Sequence, residues 1–112
     1  MSKFAECVEQ YKAQNSELGL GLSEALLTGV AKGLGPSIYN ADSSKVSGSD
    51  KAELDRVKNN FLIKKLGLSD GPALDSAIAE VMEKMGSSNR NKYRAVVYAL
   101  LAVKFGKESM FV

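Results

Sequence analysis

The stretch DKAELDRVKNNFLIKKLGL, from Asp50 to Leu68, places its apolar residues three and four positions apart. This spacing puts them on one face of a helix and is incompatible with the two-residue period of a half-buried strand. Asp50 is suited to cap the helix start, with Glu53 three residues later as a relative of the capping box. Gly67 followed by Leu68 is typical of a helix end. The pattern predicts a helix from Asp50 to Leu66.

Glycine, proline and serine divide the first half of the chain into further helical segments. The first is predicted over about residues 2–14, and Ser23 is placed to cap a second that Gly33 ends in a left-handed conformation. Proline suits the first position of a helix, so Gly35-Pro36 predicts one or two further turns. We expect Ile38 and Tyr39 to point inward from these turns.

Two more helices are predicted in the second half. One begins with Pro72 at its first position and ends before Gly86. The other takes Ser88 or Asn89 as its cap and continues to Phe105, before Gly106. In the remaining tail we expect Met110, Phe111 and Val112 to fold back on the helices; the alternative is that the tail binds a partner.

The predicted fold class is therefore all-α, a compact bundle of five to six short helices. Strands are not expected beyond a few residues at a loop or the tail, because no segment alternates with a period of two between hairpin turns. The length of 112 residues is close to the common domain size, so we expect a single helical domain over residues 1–112.

The chain contains no histidine, which removes the usual general base near neutral pH and the commonest transition-metal ligand. Catalysis by Ser/His/Asp or Cys/His groups is excluded. The single cysteine, Cys7, has no partner for a disulfide or a cysteine metal site, and we expect it to be a small core residue. We expect no enzyme, no cofactor and no metal. A carboxylate-based or lysine-based enzyme is the remaining catalytic alternative.

Residues 1–14 carry no apolar core of a secretion signal, and no segment approaches eighteen apolar residues. We therefore expect a soluble cytoplasmic protein that does not enter a membrane. A lone cysteine agrees with a reducing compartment.

The segment DSSKVSGSDKAE has the spacing of a calcium-binding loop but lacks several of its ligands. With Asp42 as position 1, Asp50 and Glu53 occupy positions 9 and 12, whereas Val46 and Ser47 stand where a ligand and the sharp-turn glycine belong. The segment predicts a helix–loop–helix related to EF-hand architecture without calcium, in which Asp50 and Glu53 cap the next helix.

The stretch GSSNRNKYRAVVYALL crowds cations at the start of an apolar helix, where the helix dipole disfavours them. Acidic side chains from another helix are the simpler compensation. The alternative is an anionic ligand held by backbone N–H groups and side chains. The candidate anion-binding residues are Ser87, Ser88, Arg90, Lys92 and Arg94.

Charge is distributed unevenly, with four Lys against six acids in residues 1–50 and eleven Lys or Arg against seven acids afterwards. This imbalance is too small to indicate nucleic-acid binding by itself. It nevertheless defines one hypothesis, polyanion or nucleic-acid binding through the basic second half. The cations concerned are Lys58, Lys64, Lys65, Arg90, Lys92, Arg94 and Lys104.

The strings GLGPSIYNAD, SDKAELDRVKNNFLIKKLGL and GSSNRNKYRAVVYALLAVKFGKES, together with the first helix, cover nearly the whole chain. In these strings the sequence resembles a family of small bacterial proteins described only as domain of unknown function 2853. The resemblance implies a compact all-α domain of EF-hand-like topology from a bacterium. It implies no activity and no functional residues.

The leading functional hypothesis is a noncatalytic protein-interaction module, because catalytic groups are missing and helical bundles offer grooves to partner helices or to a second copy. An exposed apolar patch of roughly several hundred square ångströms would support this hypothesis, and a uniformly polar surface would count against it. Polyanion binding requires unpaired cations on one face, and the carboxylate enzyme requires acids in a concave pocket.

Overall fold

Five α-helices carry the fold in a computed structural model that describes residues 3–40, 44–46, 50–86 and 92–111. They are α1 (Lys3–Leu18), α2 (Glu24–Leu34), α3 (Lys51–Arg56), α4 (Pro72–Met85) and α5 (Arg94–Lys104). A 3₁₀ turn, Gly35–Tyr39, follows α2, and another, Glu108–Met110, follows α5. A π-helical segment, Val57–Ile63, continues α3. The predicted all-α fold is confirmed.

Helix α5 is the centre of the molecule. Every residue from Ala95 to Ala102 is buried, and α5 packs against α1, α2 and α4. A helix that is apolar on all sides must be surrounded by other elements, which explains this position. The radius of gyration is 12.8 Å, close to the ~13 Å expected for a compact chain of this length. The described residues therefore form a compact globule.

Two side chains, those of Asn15 and Ser23, stabilise the connection between α1 and α2. Asn15 clamps the connection between α1 and α2, because its amide donates to the Leu22 carbonyl at 2.8 Å and accepts from the Leu22 N–H at 2.9 Å. Ser23 caps α2 as predicted, accepting from the Leu26 N–H at 3.1 Å. Helix α1 continues to Leu18, four residues beyond the prediction.

Two predictions about the end of α2 are wrong. Gly35, at φ +67°, ends the helix, whereas Gly33 lies inside it. Ile38 is buried as expected, but Tyr39 is 45% exposed and does not point into the core. Helix α2 thus ends two residues later than predicted, whereas the turn after it begins at Gly35, as Gly35-Pro36 predicts.

The predicted helix from Asp50 to Leu66 is helical but not uniformly α. Asp50 caps α3, accepting from the N–H groups of Ala52 and Glu53 at 3.0 and 3.4 Å. The π-helical segment then carries Phe61 and Leu62 into the core. Gly67, at φ +72°, ends this region as expected, and the Leu68 N–H donates to the Leu62 carbonyl at 3.0 Å.

The start of α5 differs from the prediction that Ser88 or Asn89 caps it. The helix begins at Arg94 with Tyr93 at its N-cap, and no side chain caps it there. The Val46 N–H donates to the Lys92 carbonyl and the Arg94 N–H donates to the Ser44 carbonyl, both at 2.8 Å. This antiparallel bridge holds residues 92 and 93 extended, so the helix cannot begin earlier. The described residues contain no strand beyond this bridge.

Candidate functional site

Only part of the predicted anion site can be located. Ser87, Ser88 and Arg90 lie outside the described residues, whereas Lys92 and Arg94 flank the bridge to residues 44–46. Lys92 is 5% exposed, so its side chain is buried although it was expected to face an anion. Whether the stretch binds an anion stays a prediction.

Arg94 is held by three groups at the junction between α3, α5 and the loop of residues 44–46. Its guanidinium donates to the Glu53 carboxylate, to the Tyr98 hydroxyl at 3.0 Å and to the Lys45 carbonyl at 3.4 Å. Burial opposes the charge of Arg94, but Tyr98 and Glu53 favour it and raise its pKa overall. The compensating acid therefore comes from another helix, which is the simpler of the two predicted explanations.

Glu53 was predicted to cap α3 and does something else. Its second carboxylate oxygen accepts from the Arg56 guanidinium at 2.7 Å, while the first accepts from Arg94. Glu53 is only 9% exposed, so this carboxylate is nearly removed from water. The spacing of an acid three residues after a cap did not reveal its partner, which lies 41 positions away in the sequence.

The calcium-loop residues that the structure describes are engaged in other contacts. Asp50 caps α3, Glu53 binds two arginines, and Val46 is buried. Asp42 and Ser47 lie outside the described residues. Within residues 3–40, 44–46, 50–86 and 92–111, no three Cys, Asp or Glu side chains are arranged to hold a metal ion.

Several cations of the basic second half are paired with acids. Lys58 lies 3.5 Å from Asp70 and 3.3 Å from Asp75, and the hydrogen bond to Asp75 is the main reason that its pKa is raised. Lys104 pairs with Glu80. Three of the seven cations proposed to bind a polyanion are therefore already paired with acids. They are Lys58, Arg94 and Lys104.

A shallow apolar depression of about 360 Å³ lies where the start of α1 meets the end of α2 and the turn after it. We call it the Tyr39 groove. Lys32 is the only charged residue of its lining, is exposed, and makes no ion pair with any residue in the described part of the chain. The six lining residues are Phe4, Ala31, Lys32, Gly35, Pro36 and Tyr39.

Cys7 and Tyr11 lie on α1 near this groove and face the interior. The Cys7 thiol is 3.8 Å from the Ile38 carbonyl, and Cys7 packs against the core as predicted. The Tyr11 ring meets the Tyr93 ring edge-on at 5.4 Å. Burial, followed by the nearby Cys7, raises the pKa of Tyr11.

A family described as "protein of unknown function (DUF2853)" matches residues 3–109, nearly the whole chain. The chain belongs to this family. The resemblance noted from the sequence is thereby confirmed, and the family description assigns no activity to any residue of this DUF2853 chain. No curated protein matches it. No helix in its described portion combines the length and the apolar character needed to cross a membrane.

Sequence reasoning missed the Tyr39 groove of this DUF2853 chain. Tyr39 was expected to point inward, and neither Phe4 nor Lys32 was among the candidate site residues. Lys32 carried one usable signal, because it is the only cation in α2 and stands in its last turn. The meeting of α1 with the turn after α2 is a tertiary contact and leaves no periodic trace in the sequence.

Proposed function

We propose that this protein is a noncatalytic protein-interaction module that binds its partner through the Tyr39 groove. The observation that supports this proposal is an apolar depression lined by two exposed residues, Tyr39 and Lys32. Tyrosine is enriched at interfaces because its ring buries much apolar area while its hydroxyl stays hydrated. The groove is small, so it suits one short segment of a partner rather than an extended flat surface.

The chemistry of the groove indicates what that segment carries. An apolar side chain would lie against Phe4, Pro36 and Tyr39, and a neighbouring carboxylate would meet the Lys32 ammonium. We therefore propose a partner segment that presents an apolar residue beside an acidic one. The ion pair would add orientation and salt dependence more than affinity, because exposed pairs contribute little.

The competing functions find less support in the same residues. None of the six groove-lining residues carries a carboxylate, which a carboxylate-based enzyme would need there. The hypothesis of polyanion binding has less support because Lys58, Arg94 and Lys104 are already paired with acids.

Two further parts of the proposal concern topology and location. We propose an EF-hand-like pair of helix–loop–helix units without calcium, which is supported by the bridge between Lys45 and Tyr93 in the two loops. We also propose a bacterial cytoplasmic location. The lone cysteine supports a reducing compartment.

The test is affinity capture from the native cytoplasm followed by measurement of direct binding to the purified partner by calorimetry. Tyr39→Asp should weaken binding at least about tenfold, as loss of an interface anchor does. Val103→Asp is the matched control, because Val103 is exposed to a similar fraction, 46% against 45%. If Tyr39→Asp binds as tightly as the wild type, or if only nucleic acid is captured, the proposal is wrong.

A further inference from the structure

The connection that leads into α4 contains the dipeptide Asp70-Gly71, the only Asp-Gly or Asn-Gly pair in the chain. Both residues lie outside the helices, and Gly71 stands at the N-cap of α4 with an extended backbone, at φ 172° and ψ 170°. The Asp70 side chain is 70% exposed, so water reaches its carboxylate. Because glycine has no Cβ, this carboxylate stands next to the least hindered amide nitrogen that a polypeptide offers.

The amide nitrogen of Gly71 is open to reaction with the neighbouring carboxyl group. Among the described residues its N–H donates to no acceptor, whereas an N–H inside a helix is held by the carbonyl four residues earlier. A Cβ built on Gly71 would meet nothing within 4 Å, so the space beside this residue is open. A five-membered ring that joins Asp70 Cγ to this nitrogen can therefore close without first breaking a hydrogen bond of the nitrogen.

Asp75 is a comparable aspartate that lacks this opportunity. It is exposed to a similar fraction, 62%, and is followed by Ser76, another small residue. Both residues lie inside α4, where Ser76 is far enough from the helix start for its N–H to be held in a backbone hydrogen bond. The two aspartates therefore differ in the residue that follows and in whether its N–H is held.

We infer that Asp70 is a site of spontaneous modification, at which the folded protein forms a succinimide and then isoaspartate. In the first step the carboxyl group takes one proton from water, the Gly71 nitrogen bonds to Asp70 Cγ, and a Cγ–O bond breaks. The oxygen leaves as water with that proton and the amide proton. A water molecule then opens the ring and returns a proton to the nitrogen. Its attack at Cγ restores aspartate, whereas its attack at the Asp70 carbonyl carbon breaks the bond from that carbon to nitrogen and gives isoaspartate.

The exposed methionine of the tail, by contrast, depends on an external reagent. Phe111 packs against the core as predicted, whereas Met110 is 49% exposed and Val112 lies outside the described residues. A methionine thioether becomes a sulfoxide only when an oxidant supplies the oxygen. The reaction of Asp70 with the Gly71 nitrogen needs no reagent except water, so the chain carries everything else that the modification requires.

The modification changes how the connection contacts the π-helical segment. The Lys58 ammonium lies 3.5 Å from an Asp70 oxygen and 3.3 Å from an Asp75 oxygen. In isoaspartate the main chain continues through Cγ, and the free carboxylate is carried directly by Cα. This carboxylate reaches less far toward Lys58, whereas the contact with Asp75 in α4 is kept. The inference does not rest on the Tyr39 groove.

Peptide mapping of the full chain, after several weeks at neutral pH and physiological temperature, tests the inference. Both aspartates lie in one expected tryptic peptide, residues 66–84, and fragmentation of this peptide locates the isoaspartate. We expect isoaspartate at residue 70 and none at residue 75. In water enriched in heavy oxygen, each isoaspartate should carry one labelled oxygen atom, because ring opening takes its oxygen from water.

Two variants separate the sequence from its conformation. Gly71→Ala should lose most of the isoaspartate, because the added methyl group hinders the nitrogen, and the extended backbone and open space at this position accept alanine. Ser76→Gly is the matched control, because it places the same dipeptide inside α4, and its Asp75 should stay unmodified while the chain is folded. The chain unfolded in guanidinium chloride is the positive control, since helical protection of Asp75 is then lost and both aspartates should react.

Four results would each overturn the inference. They are an unmodified Asp70 in the folded chain, undiminished isoaspartate in Gly71→Ala, isoaspartate without labelled oxygen, and equal modification of Asp70 and Asp75 in folded Ser76→Gly. Failure of Tyr39→Asp to affect partner binding would leave these results unchanged.

Discussion

Glu53 joins two arginines at a place from which water is largely excluded. The side chains of Glu53 and Arg94 are 11% and 14% exposed, so each charge depends on the other for the hydration that it has lost. A buried pair often adds little net stability compared with apolar residues, yet loss of one member leaves an uncompensated buried charge. Arg94 also reaches the Lys45 carbonyl, so the pair fastens the loop of residues 44–46 to α3 and α5.

We predict that Glu53→Leu lowers the free energy of unfolding by about 3 kcal/mol, because Arg94 keeps its charge and loses its acid. The double variant Glu53→Leu/Arg94→Met should be less destabilised than the sum of the single variants. Urea denaturation measures both. Asp55→Asn, an exposed acid on the same helix, is the control and should change stability by less than about 0.5 kcal/mol. Additive effects would contradict the coupling.

Tyr11 should make the fold sensitive to alkali. Burial raises its pKa, whereas the unfolded phenol ionises near pH 10, so above that pH the folded state binds more protons than the unfolded state. The free energy of unfolding should therefore fall as pH rises above 10, by at most about 1.4 kcal/mol per pH unit from this group. Tyr11→Phe should reduce the slope, and Tyr39→Phe is the exposed control. An unchanged slope in Tyr11→Phe would exclude Tyr11 as its source.

Some helix boundaries in this chain are determined by residues within one turn of the boundary, and others are determined by contacts with distant residues. Ser23, Asp50, Pro72 and Gly67 mark boundaries where the sequence predicts them, because caps, the proline ring and positive φ act within one turn. The predicted start of α5 was wrong because Tyr93, just before the helix, forms a bridge with Lys45, which lies almost fifty residues earlier in the sequence. The Arg94 site was only half predictable for the same reason. Its cations were visible in the sequence, but their acid was not.

The cap of α3 should matter because this helix has only six residues before the π-helical segment. Asp50→Ala removes the acceptor for two N–H groups and should cost about 1 kcal/mol of unfolding free energy. Asp50→Asn keeps an acceptor oxygen and should cost only a few tenths of that amount. Thermal denaturation followed by circular dichroism compares the two variants. Equal losses would mean that the charge of Asp50, rather than its cap, stabilises the helix.

At the scale of the whole molecule, α5 connects the elements of both halves of the chain. It packs against α1 and α2 from the first half and against α4 from the second, and the bridge at Tyr93 ties its start to residues 44–46. A central helix that is buried on all sides cannot keep its environment if either half unfolds. The two halves should therefore share one folding transition, although they differ in charge.

We predict that the chain unfolds in a single two-state step, as expected for one domain of this size. The calorimetric and van't Hoff enthalpies should agree, and the heat-capacity change should be about 1.5 kcal/mol/K, since each residue contributes ~12–15 cal/mol/K. Leu101→Ala, which opens a cavity in α5, should lower stability by about 2–5 kcal/mol while keeping one transition, because both halves lose the same packing. Val103→Ala, at the exposed C-terminal end of α5, is the matched control. Two separate transitions in the wild type, or one half that stays folded in Leu101→Ala by hydrogen exchange, would show that α5 does not unite the halves.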